Sequence, residues 1–353
     1  MFPIEARKSA LISLGSFLGQ FGPDASRSEH ALNDNYFDAF TTLIDNQFEK
    51  NAWFTPDNVR FAIGAWAHAL RPDGVNKWFD LENMPEELSD RKVGVIMAGN
   101  IPLVGFHDML SVLAAGYILR AKLSSDDNHL LPVLGRLLEE IEPKFLGRFS
   151  FTEERLGEVD AVIATGSGNT ARYFEYYFRD KPSLIRKNRS SVAIIDGDET
   201  EEELALIGQD MLRYFGMGCR NVSKIFLPEG FNLDRFFGAV YPFKEIIEHH
   251  KYANNYDYHR AIFVMNRDEV LENGFMLLKK DEKLKAPVST IFYEEYSDNQ
   301  KLKDRLLADK DELQCIVSKN NAWPMRVAPG DSQRPELWEY ADGVNTIKFL
   351  KVV

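Results

Sequence analysis

The sequence predicts an α/β protein of two Rossmann-like domains, each a three-layer α/β/α sandwich, with a helical segment in front. Short apolar runs bounded by Gly, Asn or Asp alternate with segments of helical period, which is the pattern of βαβ units and parallel sheets. That alternation occurs over residues 91–186 and again over 190–340. A chain of 353 residues also fits two domains at roughly 150 residues each. The expected division is 1–186, the front helices plus the first α/β unit, and 187–353, the second α/β unit with a terminal strand.

In order along the chain, apolar positions recur at helical spacing in Ala10–Phe21, Tyr36–Phe48 and Val59–Leu70, and Thr55-Pro56-Asp57 reads as a helix start. RKVGVIMAGN reads as strand and turn, IPLVGFHDMLSVLAAGYI as helix, and YILRAKL as a second strand. DAVIATGSGNTARYFEYYF is strand, turn and helix, and SSVAIID is again strand. DGDETEEELALIGQDMLRYF is a helix with carboxylates in its first turn, where the helix dipole favours them, and Asp196 is the expected N-cap. KIFLPEG, AIFVMN, VSTIFYEEY, LQCIVSK and the terminal TIKFLKVV read as strands.

Composition narrows the function classes. At 44% hydrophobic and 27% charged residues, the chain can build an ordinary core. Lys+Arg 42 against Asp+Glu 54 gives a net charge of −12, which disfavours a nucleic-acid-binding body. Cys219 and Cys315 are the two cysteines, too few for a disulfide framework or a cysteine-based zinc site. The N-terminal apolar run is broken and carries Glu5, Arg7 and Lys8, so it reads as an amphipathic helix rather than a secretory signal. No run approaches the ~18 apolar residues of a membrane span. The expectation is a cytoplasmic protein without a membrane span.

Three places could carry chemistry. Gly166, Gly168 and Ala171 follow a strand and open a helix, the spacing of a phosphate-binding turn, although such turns also arise for steric reasons. Cys219 lies between Gly216/Gly218 and the cations Arg220 and Lys224, a setting that favours thiolate; Cys315, inside an apolar strand, reads as core. Asn100 ends a strand, where its amide can serve a turn or donate to an oxyanion. His249, His250 and His259 have no spaced ligand partner, so they read as surface residues and no metal site is expected; His107 reads as packing or capping. Tyr173, Phe174, Tyr176 and Tyr177 read as core or interdomain packing rather than as an acyl tunnel.

The order of these pieces, from about residue 91 to the C-terminus, resembles the aldehyde dehydrogenase superfamily. Gly99-Asn100-Ile101-Pro102 is similar to the family's N-x-P segment, and Leu113–Gly116 through Lys122-Leu123-Ser124 to its L-A-A-G helix and Lys-x-Ser strand. Thr165-Gly166-Ser167 resembles its T-G-S turn, Gly216–Cys219 its G-x-x-C nucleophile, and Ala286-Pro287-Val288 its G-P-V segment. The resemblance implies Cys219 as nucleophile, Asn100 as oxyanion donor, and Lys122, Ser124, Thr165, Gly166 and Ser167 as cofactor contacts.

Two departures point to a branch. Where hydrolytic family members carry a water-activating Glu, this chain has Ile185; where the family has the Glu that holds the nicotinamide ribose, it has Lys283, with Glu282 adjacent. Without the first base, an acyl-cysteine waits for hydride or a coenzyme A thiol. The pattern is similar to the acyl-CoA reductases, the family of the fatty-acid reductase component of bacterial luminescence. That branch implies NADPH, with NADH as the alternative, and an acyl-CoA or acyl-carrier thioester reduced to a fatty aldehyde; Arg120 and Lys122 are compatible with a 2′-phosphate. Two other readings stay open: a cysteine-dependent thioester acyltransferase or hydrolase without nucleotide, and a catalytically retired binding or assembly subunit. Residues 78–90 leave no room for the family's assembly hairpin, so a family-style oligomer is not assumed and a dimer is one option.

Overall fold

The computed structural model describes residues 2–166 and 168–353. It separates into two compact units, one containing the chain up to Asn188 together with Arg334–Val353, the other Arg189–Gln333. The C-terminal segment therefore belongs with the first unit, not with the second as expected from the sequence.

In the first unit five helices precede the sheet: α1 (Ile4–Leu18), α2 (Asn33–Asp45), α3 (Gln47–Lys50), α4 (Pro56–Ala69) and α5 (Pro72–Glu82). Thr55 caps α4, its hydroxyl accepting the Asn58 N–H at 3.3 Å, with Pro56 in the first turn. The sheet has strands β1 (Lys92–Ile96), β2 (Ile118–Lys122), β3 (Phe149–Thr152), β4 (Ala161–Gly166) and β5 (Ser183–Lys187), in the order β3-β2-β1-β4-β5. All its pairings are parallel. Crossover helices are α6 (Phe106–Ala114), α7 (Leu130–Ile141) and α8 (Gly168–Tyr177). Leu14 and Phe17 of α1, Val93 and Val95 of β1, Leu110 of α6 and Leu134 of α7 share one hydrophobic core, so the front helices and the sheet form a single packed unit. Tyr173, Tyr176 and Tyr177 are exposed, which corrects their expected place in the core: α8 buries Ala171 and half-buries Phe174 instead.

The terminal strand expected at TIKFLKVV is a short helix, α13 (Thr346–Leu350). Asn345 caps it by accepting the Lys348 N–H, and Ile347 and Leu350 enter the first unit's core. Arg186 at the end of β5 holds it there, donating to the Asp108 carboxylate of α6 and to the Thr346 hydroxyl, each at 2.7 Å, with the ion pair almost fully buried.

The second unit has β6 (Ser190–Ile194), β7 (Val222–Pro228), β8 (Val270–Glu272), β9 (Leu277–Lys280), β10 (Thr290–Tyr296), β11 (Leu313–Val317) and β12 (Arg326–Val327). Their order is β12-β11-β6-β7-β10-β9-β8, and β8 alone runs antiparallel to its neighbour among the described strands. Ala193 and Ile195 pack on one face with Leu204, Ile207 and Met211 of α9 (Glu201–Leu212) and Phe236 of α10 (Leu233–Val240). Val192 and Ile194 pack on the other face with Leu302 and Leu306 of α12 (Asn299–Ala308). The two-residue period of strand side chains thus feeds two apolar layers.

Two local readings change here. The N-cap of α9 is Thr200, in a reciprocal capping box with Glu203, rather than Asp196. AIFVMN is the end of a helix, α11 (His250–Asn266), because Tyr252, Tyr256 and Phe263 share its buried side. A short apolar run alone does not distinguish strand from helix. No described helix is long and apolar enough to cross a membrane.

Candidate active site

In the first unit the sequence-predicted residues converge on the carboxyl ends of β2, β1 and β4, adjacent strands in the sheet. The chain leaves β1 toward β2 on one side, while β4 pairs on the other, with Ile96 opposite both Lys122 and Ala164. This reversal of strand order is where open α/β sheets form a ligand crevice.

Asn100 is exposed in the turn after β1. That turn rests on the one after β2: a Cβ added to Gly99 would fall 2.6 Å from Ser124 Oγ. Asp127 completes the join, its Oδ2 accepting the Leu103 N–H at 2.8 Å while Leu103 takes a left-handed backbone with φ 60°. Asp127 is 3% exposed and its Oδ1 is buried without a hydrogen-bond partner among the described residues. Burial pushes this carboxyl up to about 7, against the opposing pull of the Leu103 N–H. Lys122 Nζ donates to the Glu153 carbonyl at 2.6 Å, and Arg120 donates to Ser150 Oγ at 2.6 Å.

Thr165 and Gly166 end β4. A Cβ on Gly166 would lie 2.9 Å from Thr170 Cγ2, so the side-chain-free backbone is what lets α8 pack this close. Ala171, fully buried, is the small residue that close helix–strand packing requires. Ser167 lies outside the described residues. Ile185, on β5 beside Ala164, packs against Val162, Ala164 and Phe178, so this position presents hydrocarbon and no base.

In the second unit Cys219 is partly exposed in the loop that enters β7. The loop leaves α9 through three successive left-handed residues, Tyr214 (φ 52°), Phe215 (φ 57°) and Gly216 (φ 76°). Ser191 Oγ donates to the Cys219 carbonyl at 2.9 Å and lies 3.1 Å from Cys315 Sγ. Cys315 is 2% exposed, and burial pushes its thiol up to about 11, so it stays protonated at neutral pH. His249 is no simple surface residue: its Nδ1 accepts the Tyr252 N–H to cap α11, and its ring lies 4.3 Å from that of Phe215. His107, expected to pack or cap, approaches the Leu337 carbonyl at 2.9 Å among Trp66, Trp78 and Tyr340.

Glu282 and Lys283 are both exposed. Buried Lys224 fixes the backbone of their turn, donating to the carbonyls of Asp281 and Glu282 at 2.9 Å each and pairing with Glu294. Lys224, read from the sequence as a cation favouring the Cys219 thiolate, is instead engaged by Glu294 and two carbonyls, and sequence reading missed the structural roles of Asp127, Ser191 and Asn221, the last bonding Gly218 and the end of α9. The available signals were Asp127 just after the Lys-x-Ser strand and Asn221 just after the cysteine.

The class so defined is a doubly wound α/β protein with a glycine turn at the switch point of one sheet and a partly exposed cysteine in the loop before a strand of the other. Solved structures that match it include aldehyde dehydrogenases. One from Physcomitrella patens, in complex with the reaction product succinate, matches with TM-score 0.64 at 14% identity, over 96% of this chain and 81% of that one. One from Mycobacterium tuberculosis, complexed with NAD+, matches with TM-score 0.58 at 15% identity, over 86% and 70%. The NAD+ complex of one from Bacillus cereus matches with TM-score 0.58 at 13% identity, over 91% and 73%. No protein-family model and no curated protein sequence matches the chain. The chain has the aldehyde dehydrogenase fold.

Proposed function

We propose that the protein is a nicotinamide-dependent oxidoreductase of aldehyde chemistry, and more narrowly a reductase of acyl thioesters that forms an aldehyde through an acyl-cysteine at Cys219. The fold supports the broad reading, since the solved structures that share it include NAD+ complexes. The observation that carries the narrow one is Ile185, an apolar side chain packed on Val162 and Phe178 at the position aligned with the family's hydrolytic base.

The residues present fit a dinucleotide: the Gly166 turn leaves backbone in place of a side chain, and the α8 N-terminus follows it. Lys122, Ser124, Thr165, Gly166 and Ser167 are assigned to hold it, and when bound the nicotinamide supplies the hydride, with NADPH preferred over NADH. The Cys219 thiolate attacks the thioester carbon, and the thiol of coenzyme A or of an acyl carrier departs with a proton. The Asn100 amide and a backbone N–H at Cys219 are assigned to the negative oxygen that develops at each tetrahedral stage. Once the acyl carbon is reduced, the C–S bond breaks, the aldehyde leaves, and Cys219 recovers its thiol.

Mixing the protein with acyl-CoAs of graded length and measuring intact mass tests this. An acyl adduct on Cys219 that NADPH discharges to aldehyde is expected, abolished by Cys219→Ser and retained in Cys315→Ser. An adduct released only as free acid or transferred to another thiol contradicts the reductase; no adduct at all contradicts any enzymatic use of Cys219 on thioesters.

A further inference from the structure

The last carbonyls of an α-helix have no partner within it. At the end of α9 the partner is Asn221. Its Nδ2 donates to the carbonyls of Asp210 at 2.9 Å and Arg213 at 2.8 Å, with Met211 O at 3.4 Å. Its Oδ1 accepts the Gly218 N–H at 2.7 Å, and its own N–H donates to the Gly218 carbonyl at 3.0 Å. Asn221 is 2% exposed. One carboxamide thus closes a loop that starts at the helix end and returns through Gly218, the residue before the cysteine.

Inside that loop lie the left-handed residues Tyr214 and Phe215. Non-glycine residues keep such a backbone only where surrounding contacts over-determine it. Met217 N–H donates to the Tyr214 carbonyl at 3.1 Å, and Ser191 holds the Cys219 carbonyl from β6. The same last turn of α9 is anchored a second time: the buried Asp210 carboxylate accepts N–H groups from Gly330 at 2.7 Å and Ser332 at 3.1 Å, and the Ser332 hydroxyl at 2.7 Å.

We propose that Asn221 is a positioning residue for Cys219, its carboxamide tying the end of α9 to Gly218 so that the strained turn presents the thiol in one place. The proposal rests on the reading of Cys219 as nucleophile. Asn221 touches no substrate in this role; it acts through the loop. A reacting atom misplaced by about 1 Å loses on the order of 10²-fold in rate. A small alkylating reagent, which approaches from any side, is far less demanding.

The test compares two reactions of the same thiol in the full chain. Asn221→Ala lowers the single-turnover rate of Cys219 acylation by acyl-CoA roughly 10- to 100-fold, lowers kcat with KM little changed, and leaves alkylation by iodoacetamide within about threefold. Leu306→Ala, a buried change on the opposite face of the sheet, serves as a control for lost stability and keeps the acylation rate. If Asn221→Ala does not fold, the isosteric Asn221→Asp, which loses the donors to the α9 carbonyls, carries the same expectation. Acylation at the wild-type rate in the Asn221 variant, or an equal loss in Leu306→Ala, overturns the inference alone. A wild-type chain that alkylates at Cys219 but never acylates overturns the reading beneath it, and the inference falls with it.

Discussion

Both sheets end in turns at their carboxyl edges, and the two edges differ in what those turns gather. At the carboxyl ends of β1, β2 and β4 the first unit presents Asn100, Lys122, Ser124 and Thr165-Gly166, with Asp126, Glu153 and Glu154 exposed in the turns after β2 and β3. After β6, β7, β10 and β11 the second unit presents Asp196, Asp198, Glu229, Ser297 and Lys319, around an open cleft of about 880 Å³ that Glu203 also lines. Lys319 is already engaged there, 2.7 Å from Asp198 and 3.7 Å from Glu203. Strand order reverses within each sheet; the dinucleotide site we propose is at the first reversal, where the Gly166 turn leads into α8, and the carboxylates gathered at the second disfavour an anion. The second unit's cysteine lies at the other end of its sheet, in the loop entering β7. Topology offers sites, and local charge and turn chemistry decide which of them an anion or a nucleophile can use.

The largest effect expected is on the proposed nucleophile. Cys219→Ser lowers turnover by about 10⁴-fold or more, as loss of a nucleophile does, whereas Cys315→Ser stays within a few-fold; steady-state kinetics with an acyl-CoA distinguishes them. Next comes stability in the first unit. Asp108→Ala strands the buried Arg186 guanidinium, and breaking such a pair from one side costs about 3–5 kcal/mol, read as a lower midpoint in urea. Nucleotide binding then sharpens the contrast between the edges. Gly166→Ala and Lys122→Ala weaken NADPH binding by roughly tenfold, about 1.4 kcal/mol, while Asp198→Ala leaves it unchanged in a fluorescence titration. Tighter binding in Asp198→Ala would place the dinucleotide at the acidic edge.

A pH dependence bears on the join between the β1 and β2 turns. The Asp127 carboxyl, raised by burial to about 7, holds its proton in the folded chain where the unfolded chain has lost it. Its burial therefore subtracts nothing below about pH 4, and the loss of stability grows as pH rises from about 4 to about 7. Asp127→Asn removes that slope, so its urea midpoint gains on the wild type across this window and then runs parallel. A constant difference from pH 4 to 8 contradicts the assignment.

Much of this was legible in the sequence where the signal is local. The β1, β4 and β6 strands stand out as short apolar runs ending in Asn, Gly or Asp, and the motif residues at their ends follow from that placement. The strand β5 was not recognised, since Arg186 and Lys187 interrupt its apolar character; only in the fold does Arg186 find Asp108. AIFVMN misled because Val264 and Met265, the apolar residues that suggest a strand, are exposed on a helix whose buried side is set by Tyr252 and Tyr256 upstream. TIKFLKVV misled in the same way, its helix secured by an Asn345 cap and by contacts with β5 and α6 that no local pattern encodes. Asp127 and Asn221 were silent for a third reason: each works on backbone N–H or carbonyl groups of a neighbouring turn, which leaves no periodic trace.

The central claim is hydride transfer to an acyl group held on Cys219. The most direct measurement is a single turnover with an acyl-CoA and NADPH carrying two deuteriums at nicotinamide C4, with the product read by mass. The account predicts an aldehyde one mass unit heavier at its carbonyl carbon, formed at the rate at which the Cys219 adduct disappears. Loss of the adduct with no deuterium in any released product would contradict it.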